Sequence, residues 1–255
     1  MLIVQREGDV ARIILNRPDK RNALTRSMLT EFRQSIEALS ADTRLVVLSA
    51  AGPAFCAGMD LQEMQATAQQ PDSAEIWQRD SDLYRQVVES LFLLPCPTLG
   101  VVQGPVLAGG VGLLLACDLV IGSDAASFAL PEPKRGITAS MVAPLLIHRI
   151  GSSAAAWMLL SGQTISAAEA RQCGVIHKLV SADTLAEGTA ETINSILTGA
   201  PGALRVTKQQ LLQEVSGPLR AAWDTASQLS AKSRAQPEAR EGLQAFLEKR
   251  KANWM

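Results

Sequence analysis

The 255-residue sequence has few aromatic, histidine and cysteine residues. Aromatic side chains make up 4% of it, and it contains one tyrosine, two histidines and four cysteines. The cysteines form no Cys-x-x-Cys pair and stand among apolar or small residues, which is typical of buried free thiols in a reducing compartment. We therefore expect a cytoplasmic protein, and with two histidines we predict no metal site. The cysteines are Cys56, Cys96, Cys117 and Cys173.

The sequence also lacks an excess of charge and any long apolar run. It has 24 basic and 25 acidic residues and a net charge of -1, so neither nucleic acid nor an anionic membrane is expected as a partner. No apolar run reaches about 20 residues, and residues 1–7 lack the basic leader of a secretory signal. The hydrophobic content of 47% suits one large α/β domain.

Hydrophobic periodicity predicts alternating strands and helices, followed by a helical region. A hairpin is expected at residues 2–6 and 10–15, and buried strands at 45–49, 98–102 and 119–122. Helices are predicted from a cap at Thr25 or Ser27 to about Leu39, and over 72–94, 154–160, 167–172, 182–197, 206–215, 219–233 and 238–251. This alternation favours β-β-α units around a mostly parallel sheet. We divide the chain into an α/β core, residues 1–195, and a helical region, 196–255.

Two glycine-rich turns follow predicted strands, at residues 55–61 and 104–112. Each alone is also typical of ordinary strand-to-helix packing. In the first turn, the backbone N–H of Met59 could face a ligand oxygen, and in the second, a helix N-terminus adds positive potential to free N–H groups. Together, N–H donors from two separate turns can form an oxyanion hole for a thioester carbonyl.

Glu132 lies between Pro131 and Pro133 in an otherwise apolar stretch. If it is buried beside the thioester, its pKa rises and it can act as an acid or a base. An exposed loop glutamate is the alternative interpretation.

Short segments along nearly the whole chain share one resemblance. They are residues 14–24, 55–61, 108–110, 116–119, 162–163, 168–170, 174–176 and 246–250. Their combination resembles the enoyl-CoA hydratase/isomerase (crotonase) family. The resemblance implies a crotonase-like spiral of β-β-α units with a C-terminal helical region, and an acyl-CoA substrate with no cofactor beyond that CoA. It also implies a homotrimer, often paired into a hexamer.

The resemblance implies roles for individual residues. The N–H groups of Met59 and Gly109 would be the oxyanion donors, and Glu132 would be the acid or base. Phe246 and Lys249 would close the CoA site, in this chain or from a neighbouring subunit. The implied substrate contacts are Lys20, Ala23, Leu24, Ala57, Gly58, Met59, Asp60, Leu61 and Gly109.

Gly112 departs from the pattern of many hydratases in that family, which carry a second glutamate there. One carboxyl can still orient water and then protonate the α-carbon, so an enoyl-CoA hydratase is our first hypothesis, with branched and carboxylated enoyl-CoA among the candidate substrates. A Δ3,Δ2-enoyl-CoA isomerase, which needs a single base, and a non-catalytic CoA-binding protein remain open. Candidates for the acyl pocket are Met64, Trp77, Leu83, Tyr84, Met141 and Leu145.

Overall fold

The strands form two sheets in a computed structural model that describes residues 1–254. The strands are β1 (Leu2–Glu7), β2 (Val10–Leu15), β3 (Leu45–Ala50), β4 (Thr98–Val102), β5 (Pro105–Leu107), β6 (Leu119–Ser123), β7 (Ser127–Ala129), β8 (Ile165–Ser166) and β9 (Lys178–Val180). The larger sheet has the order β1-β2-β3-β4-β6-β9 and is parallel except for the β1–β2 hairpin. The smaller one has the order β5-β7-β8. The predicted hairpin and mostly parallel sheet are therefore confirmed.

Helices cover these sheets and continue into the C-terminal region. They are α1 (Arg26–Glu37), α2 (Leu61–Ala68), α3 (Ser73–Phe92), α4 (Gly109–Leu115), α5 (Ala143–Ser161), α6 (Ala167–Cys173), α7 (Leu185–Leu197), α8 (Pro201–Arg234) and α9 (Pro237–Leu247). The Thr25 side chain caps α1 by accepting from the Met28 N–H. The α/β class and the C-terminal helical region are as expected, and the division at residues 195/196 stays a prediction. No helix within residues 1–254 has the length and apolar character needed to cross a bilayer.

The prediction of two helices over 206–215 and 219–233 is wrong, because α8 runs unbroken for 34 residues. Pro218 lies inside it and removes one helical N–H, which typically costs about 3 kcal/mol. Tertiary packing offsets this cost. Leu219 and Trp223 directly after the proline are buried, and Trp223 packs edge-on against Phe92 of α3 at a centroid distance of 5.9 Å.

Other element boundaries also differ from the prediction. Helix α5 contains a kink at Gly151, whose φ of +74° and ψ of 165° are not helical. The part after the kink contains the predicted helix 154–160, whereas the part from Ala143 to the kink was not predicted. The last helix ends at Leu247 and not at residue 251, since Lys249 adopts a left-handed φ of +55°. The short strands β5, β7, β8 and β9 were not predicted, because two or three residues are too few to show an alternating pattern.

Candidate active site

The first glycine turn joins β3 to α2 and is held in place by the segment before α1. Leu24 donates its N–H to the Gly58 carbonyl at 2.8 Å and accepts the Asp60 N–H at 2.9 Å. These two bonds flank Met59, whose own N–H has no protein acceptor among the described residues. The Asp60 carboxylate caps α2 and pairs with Arg17 at 3.1 Å. The turn is thus fixed from both sides while one amide stays free.

The second turn joins β5 to α4 through a strained residue. Ala108 has φ +51° and ψ -127°, a conformation that typically costs about 1–3 kcal/mol for a residue with a side chain. A hydrogen bond from its N–H to the Ala129 carbonyl, at 3.0 Å, holds it there. Gly109 begins α4, and its N–H likewise finds no protein acceptor in residues 1–254. Here too the surrounding bonds leave one amide available.

The two turns touch each other through their glycines. A Cβ atom on Gly58, which has φ +84°, would lie 2.6 Å from the Ala108 Cβ and 3.4 Å from the Gly109 nitrogen. A Cβ on Gly110 would lie 2.7 Å from the Cys56 Cβ. Side chains at these positions would push the turns apart, so glycine is what lets the backbones approach. Met59 and Gly109 both line one cavity.

This cavity contains about 550 Å³ of unfilled space, including its open mouth. Apolar side chains and the two turns form much of its lining, and its ionisable side chains are Glu132, Arg135, Arg234 and Tyr84. The other lining residues are Ala57, Met59, Leu61, Met64, Ala108, Gly109, Ile137, Thr138, Ala139, Met141, Val142 and Ser230.

Glu132 projects a buried carboxyl group at the cavity. It begins a short 3-10 turn, Glu132–Arg135, directly after Pro131, and 7% of it is exposed. Its Oε2 atom has no hydrogen-bond partner in the part of the chain that the structure describes. Burial raises the pKa of Glu132 to about 7, although Arg135 and Arg234 partly oppose this. The carboxyl can therefore accept and release a proton near neutral pH.

Tyr84 fills the space beside Gly112. A Cβ on Gly112 would lie 2.2 Å from the Tyr84 hydroxyl oxygen, and that hydroxyl donates to the Gly109 carbonyl at 2.6 Å. Tyr84 is 3% exposed, and burial raises its pKa well above the usual value, so it stays protonated. A side chain at position 112 would have to displace this tyrosine. Among the described lining residues, Glu132 thus carries the single carboxyl group.

Of the remaining predicted contact residues, Ala57 and Leu61 line the cavity and others do not. Leu24 is fully buried in the core, so only its backbone supports the first turn. Gly58 and Asp60 likewise shape that turn. Leu24, Gly58 and Asp60 therefore shape the first turn and do not line the cavity.

Four further predicted contacts also lie outside the cavity lining. Lys20 is exposed and Ala23 half-buried, ahead of the first turn. Phe246 and Lys249 are exposed near the C-terminus, and the Phe246 ring lies 4.2 Å beneath the Arg135 guanidinium. Their roles in CoA binding stay predictions.

The sequence-based list of pocket residues is correct in part. Met64, Tyr84 and Met141 line the cavity, and Trp77 lines a smaller adjoining one. Leu83 and Leu145 instead pack in the hydrophobic core. No local sequence pattern indicated that the two arginines of the lining would lie there. Arg135 and Arg234 follow patterns that are typical of solvated turn and helix ends, yet both reach the cavity.

The described residues contain no group of three or more His, Cys, Asp and Glu side chains that could hold a metal ion. His177 instead accepts the Val120 N–H at Nδ1, at 3.1 Å. The site thus consists of backbone donors, one carboxyl group and two guanidinium groups.

The chain is similar to known proteins along nearly its whole length. The model of the enoyl-CoA hydratase/isomerase family matches residues 5–255. The chain is 34% identical over 252 residues to the 2,3-dehydroadipyl-CoA hydratase of Escherichia coli K12, covering 98% of this chain and 96% of the relative. It is 31% identical to the enoyl-CoA isomerase/hydratase fer4 of Mycosarcoma maydis, with 95% and 91% covered. A crystal structure of an enoyl-CoA hydratase/isomerase from Xanthobacter autotrophicus Py2 is similar, with a TM-score of 0.88, 28% identity and 97% and 96% coverage.

Proposed function

We propose that this chain, which belongs to the enoyl-CoA hydratase/isomerase family, hydrates 2-enoyl-CoA thioesters with one glutamate. It is an enzyme of the enoyl-CoA hydratase or isomerase type with a crotonase fold. One observation carries the assignment of the chemistry to residues. A buried, unpaired carboxyl with a pKa near 7 lines the same cavity as two free backbone amides.

The two amides would stabilise the enolate oxygen of the thioester. When water adds to the β-carbon, the electron pair of the double bond moves onto the carbonyl oxygen. The N–H groups of Met59 and Gly109 would donate to that oxygen, and each such preorganised donor is typically worth about 3–4 kcal/mol. Because both turns are already fixed, the donors need no rearrangement during the reaction.

Glu132 would move both protons. Its carboxylate takes a proton from the attacking water, whose oxygen bonds to the β-carbon. The resulting carboxylic acid then returns a proton to the α-carbon as the enolate collapses to the thioester. Water is consumed and every electron pair is accounted for, so we propose that no cofactor is required beyond the CoA of the substrate.

Δ3,Δ2-Enoyl-CoA isomerisation is the second candidate, and the absence of another carboxyl among the described lining residues favours it. Glu132 would take a proton from the α-carbon of a 3-enoyl-CoA and return it to the γ-carbon. A relative with both activities in its name is consistent with either reaction.

Assays with a 2-enoyl-CoA and a 3-enoyl-CoA of equal chain length separate these functions. A hydratase removes the ultraviolet absorbance of the conjugated thioester, whereas an isomerase creates it from the 3-enoyl substrate. We expect faster loss from the 2-enoyl-CoA. Faster gain from the 3-enoyl-CoA would assign the isomerase, and CoA binding without either change would favour the non-catalytic interpretation.

We also propose a homotrimer, or a hexamer of paired trimers, in the cytoplasm. Trp157 and Leu160 of α5 are 57% and 80% exposed and line one groove, which suits a subunit contact. The four cysteines are free, in line with a reducing compartment. Light scattering that gives the monomer mass at working concentration would contradict the assembly.

A further inference from the structure

Arg234, the last residue of α8, brings an unpaired guanidinium group to the cavity. The residue as a whole is half-buried, but its Nη1 atom is inaccessible to solvent and no residue within 1–254 accepts a hydrogen bond from it. Arginine keeps its proton at any physiological pH, so a buried guanidinium needs a negative or strongly polar partner. Burial lowers the pKa of Arg234, which reflects this cost. Within the described chain, no acidic side chain forms an ion pair with the positive charge of Arg234.

Neither neighbouring carboxyl group forms an ion pair with Arg234. Both oxygens of Asp80 accept from Arg26, at 2.5 and 2.7 Å, so this pair is complete without Arg234. Glu132 is mostly protonated below about pH 7. The Trp77 ring lies 5.7 Å from the Arg234 guanidinium and positions it through a cation–π contact. Arg234 is therefore held in place by an aromatic face and not by an ion pair.

Arg234 and Arg135 both line the cavity, but the neighbours of Arg234 are more buried than those of Arg135. The neighbours of Arg234 are Trp77 and Tyr84, which are 2% and 3% exposed. Arg135 instead contacts the exposed Phe246 and feels the exposed Arg21. Because the phosphates of CoA are strongly hydrated, they suit Arg135, whose neighbours are exposed. The more buried surroundings of Arg234 suit an anionic group that an acyl chain would carry into the cavity.

We propose that Arg234 binds a carboxylate at the far end of the acyl chain, so that the substrate is the CoA half-thioester of an unsaturated dicarboxylic acid. This inference rests on the function proposed above and narrows its substrate class. The planar guanidinium fork matches a carboxylate in two parallel hydrogen bonds. An acyl chain ending in a methyl group would leave the buried Nη1 atom without a partner. The site would thus discriminate against it.

The first test needs only the unaltered protein and two non-reacting ligands of equal length, adipoyl-CoA and hexanoyl-CoA. Calorimetry is expected to give about 10- to 100-fold tighter binding of adipoyl-CoA, the range for hydrogen bonds between charged groups. Equal affinities would overturn the proposal, whatever reaction the enzyme catalyses. Turnover of trans-2-hexenedioyl-CoA and trans-2-hexenoyl-CoA should show the same preference in kcat/KM.

Arg234→Met tests the residue, because methionine keeps the unbranched apolar stem and removes the charge. We expect it to abolish the preference for adipoyl-CoA while binding of hexanoyl-CoA stays equal or improves. Lys232→Met, on the exposed part of the same helix end, is the matched control and should keep the preference. Arg234→Lys should restore part of it, and a preference that survives Arg234→Met would overturn the assignment.

Thermal unfolding separates this role from a structural one. Since Arg234 has no hydrogen bond within the described chain, Arg234→Met should unfold at the same or a higher temperature than the parent without ligand. A marked drop would indicate a structural role and contradict the proposal. Turnover of hexenoyl-CoA with no binding preference would refute the carboxylate site alone. A binding preference without turnover would instead refute the proposed reaction.

Discussion

The cavity has two walls of different chemistry. The backbone wall consists of the turns around Met59 and Gly109, which hydrogen bonds to Leu24 and Ala129 hold in place. The side-chain wall consists of Glu132, Arg135 and Arg234, whose charged ends lie in a largely apolar cavity without ion-pair partners among the described residues. One wall is stabilised by the fold, whereas the other is held against an electrostatic cost.

This difference separates what the reaction needs from what selects the substrate. Stabilising a thioester oxygen requires only N–H groups at the right positions, which glycine turns provide for any acyl chain. Under the proposed function, selecting an acyl chain and moving protons would depend on side chains from the 3-10 turn at Glu132 and the end of α8. We therefore expect changes in the two walls to have distinct effects on turnover, binding and stability.

The largest effect is expected at the side-chain wall, from Glu132→Gln. The amide cannot take a proton from water, so turnover should fall by about 10²- to 10⁴-fold while acyl-CoA binding survives. Steady-state kinetics and calorimetry measure the two separately. Glu238→Gln, at an exposed position on α9, is the control and should keep full activity. Full activity in Glu132→Gln would remove Glu132 from the mechanism.

Gly109→Pro tests the backbone wall and should have the next largest effect. Proline is tolerated in the first turn of a helix but lacks the N–H, so kcat should fall by about 10²- to 10³-fold. Gly109→Ala is the matched control, because it keeps the N–H. Its Cβ would lie 3.2 Å from Tyr84 Cε2, so the ring would have to shift slightly.

Circular dichroism would show that both Gly109 variants fold. Gly109→Ala should lose far less activity than Gly109→Pro. Equal kcat values for the two would mean that this amide does not contact the reacting oxygen.

The sequence was sufficient to predict the backbone wall and much less of the side-chain wall. Glycine turns after apolar strands are local patterns, so the turns at Gly58 and Gly109 could be placed without coordinates. The single carboxyl at Glu132 was also recognised. Arg234 could not be, because its position depends on α8 continuing through Pro218 and packing on α3, a tertiary effect without local signal.

The position of Tyr84 could not be predicted from the sequence either. At Gly112 the sequence indicates the loss of a carboxyl group and does not indicate which side chain occupies its place. The structure brings Tyr84 there from α3, 28 residues earlier in the chain, and bonds it to the Gly109 carbonyl. Hydrophobic periodicity and sequence motifs cannot predict contacts between residues that meet only through tertiary packing.

The smallest effect concerns stability, where the two walls should differ in their pH dependence. The pKa of Glu132 rises from 4.5 to about 7 on folding, so the folded state holds this proton more tightly than the unfolded state. The resulting stabilisation is complete below pH 4.5 and is lost as the pH rises through 7, which amounts to about 3 kcal/mol. Glu132→Gln cannot ionise and should escape this loss.

Denaturant titrations between pH 4.5 and pH 8.5 measure this difference. The free energy of unfolding of Glu132→Gln, relative to that of the parent, should increase by up to that amount as the pH rises. The corresponding difference for Gly109→Ala should stay constant. A constant difference for Glu132→Gln as well would mean that the carboxyl is solvated in the folded protein.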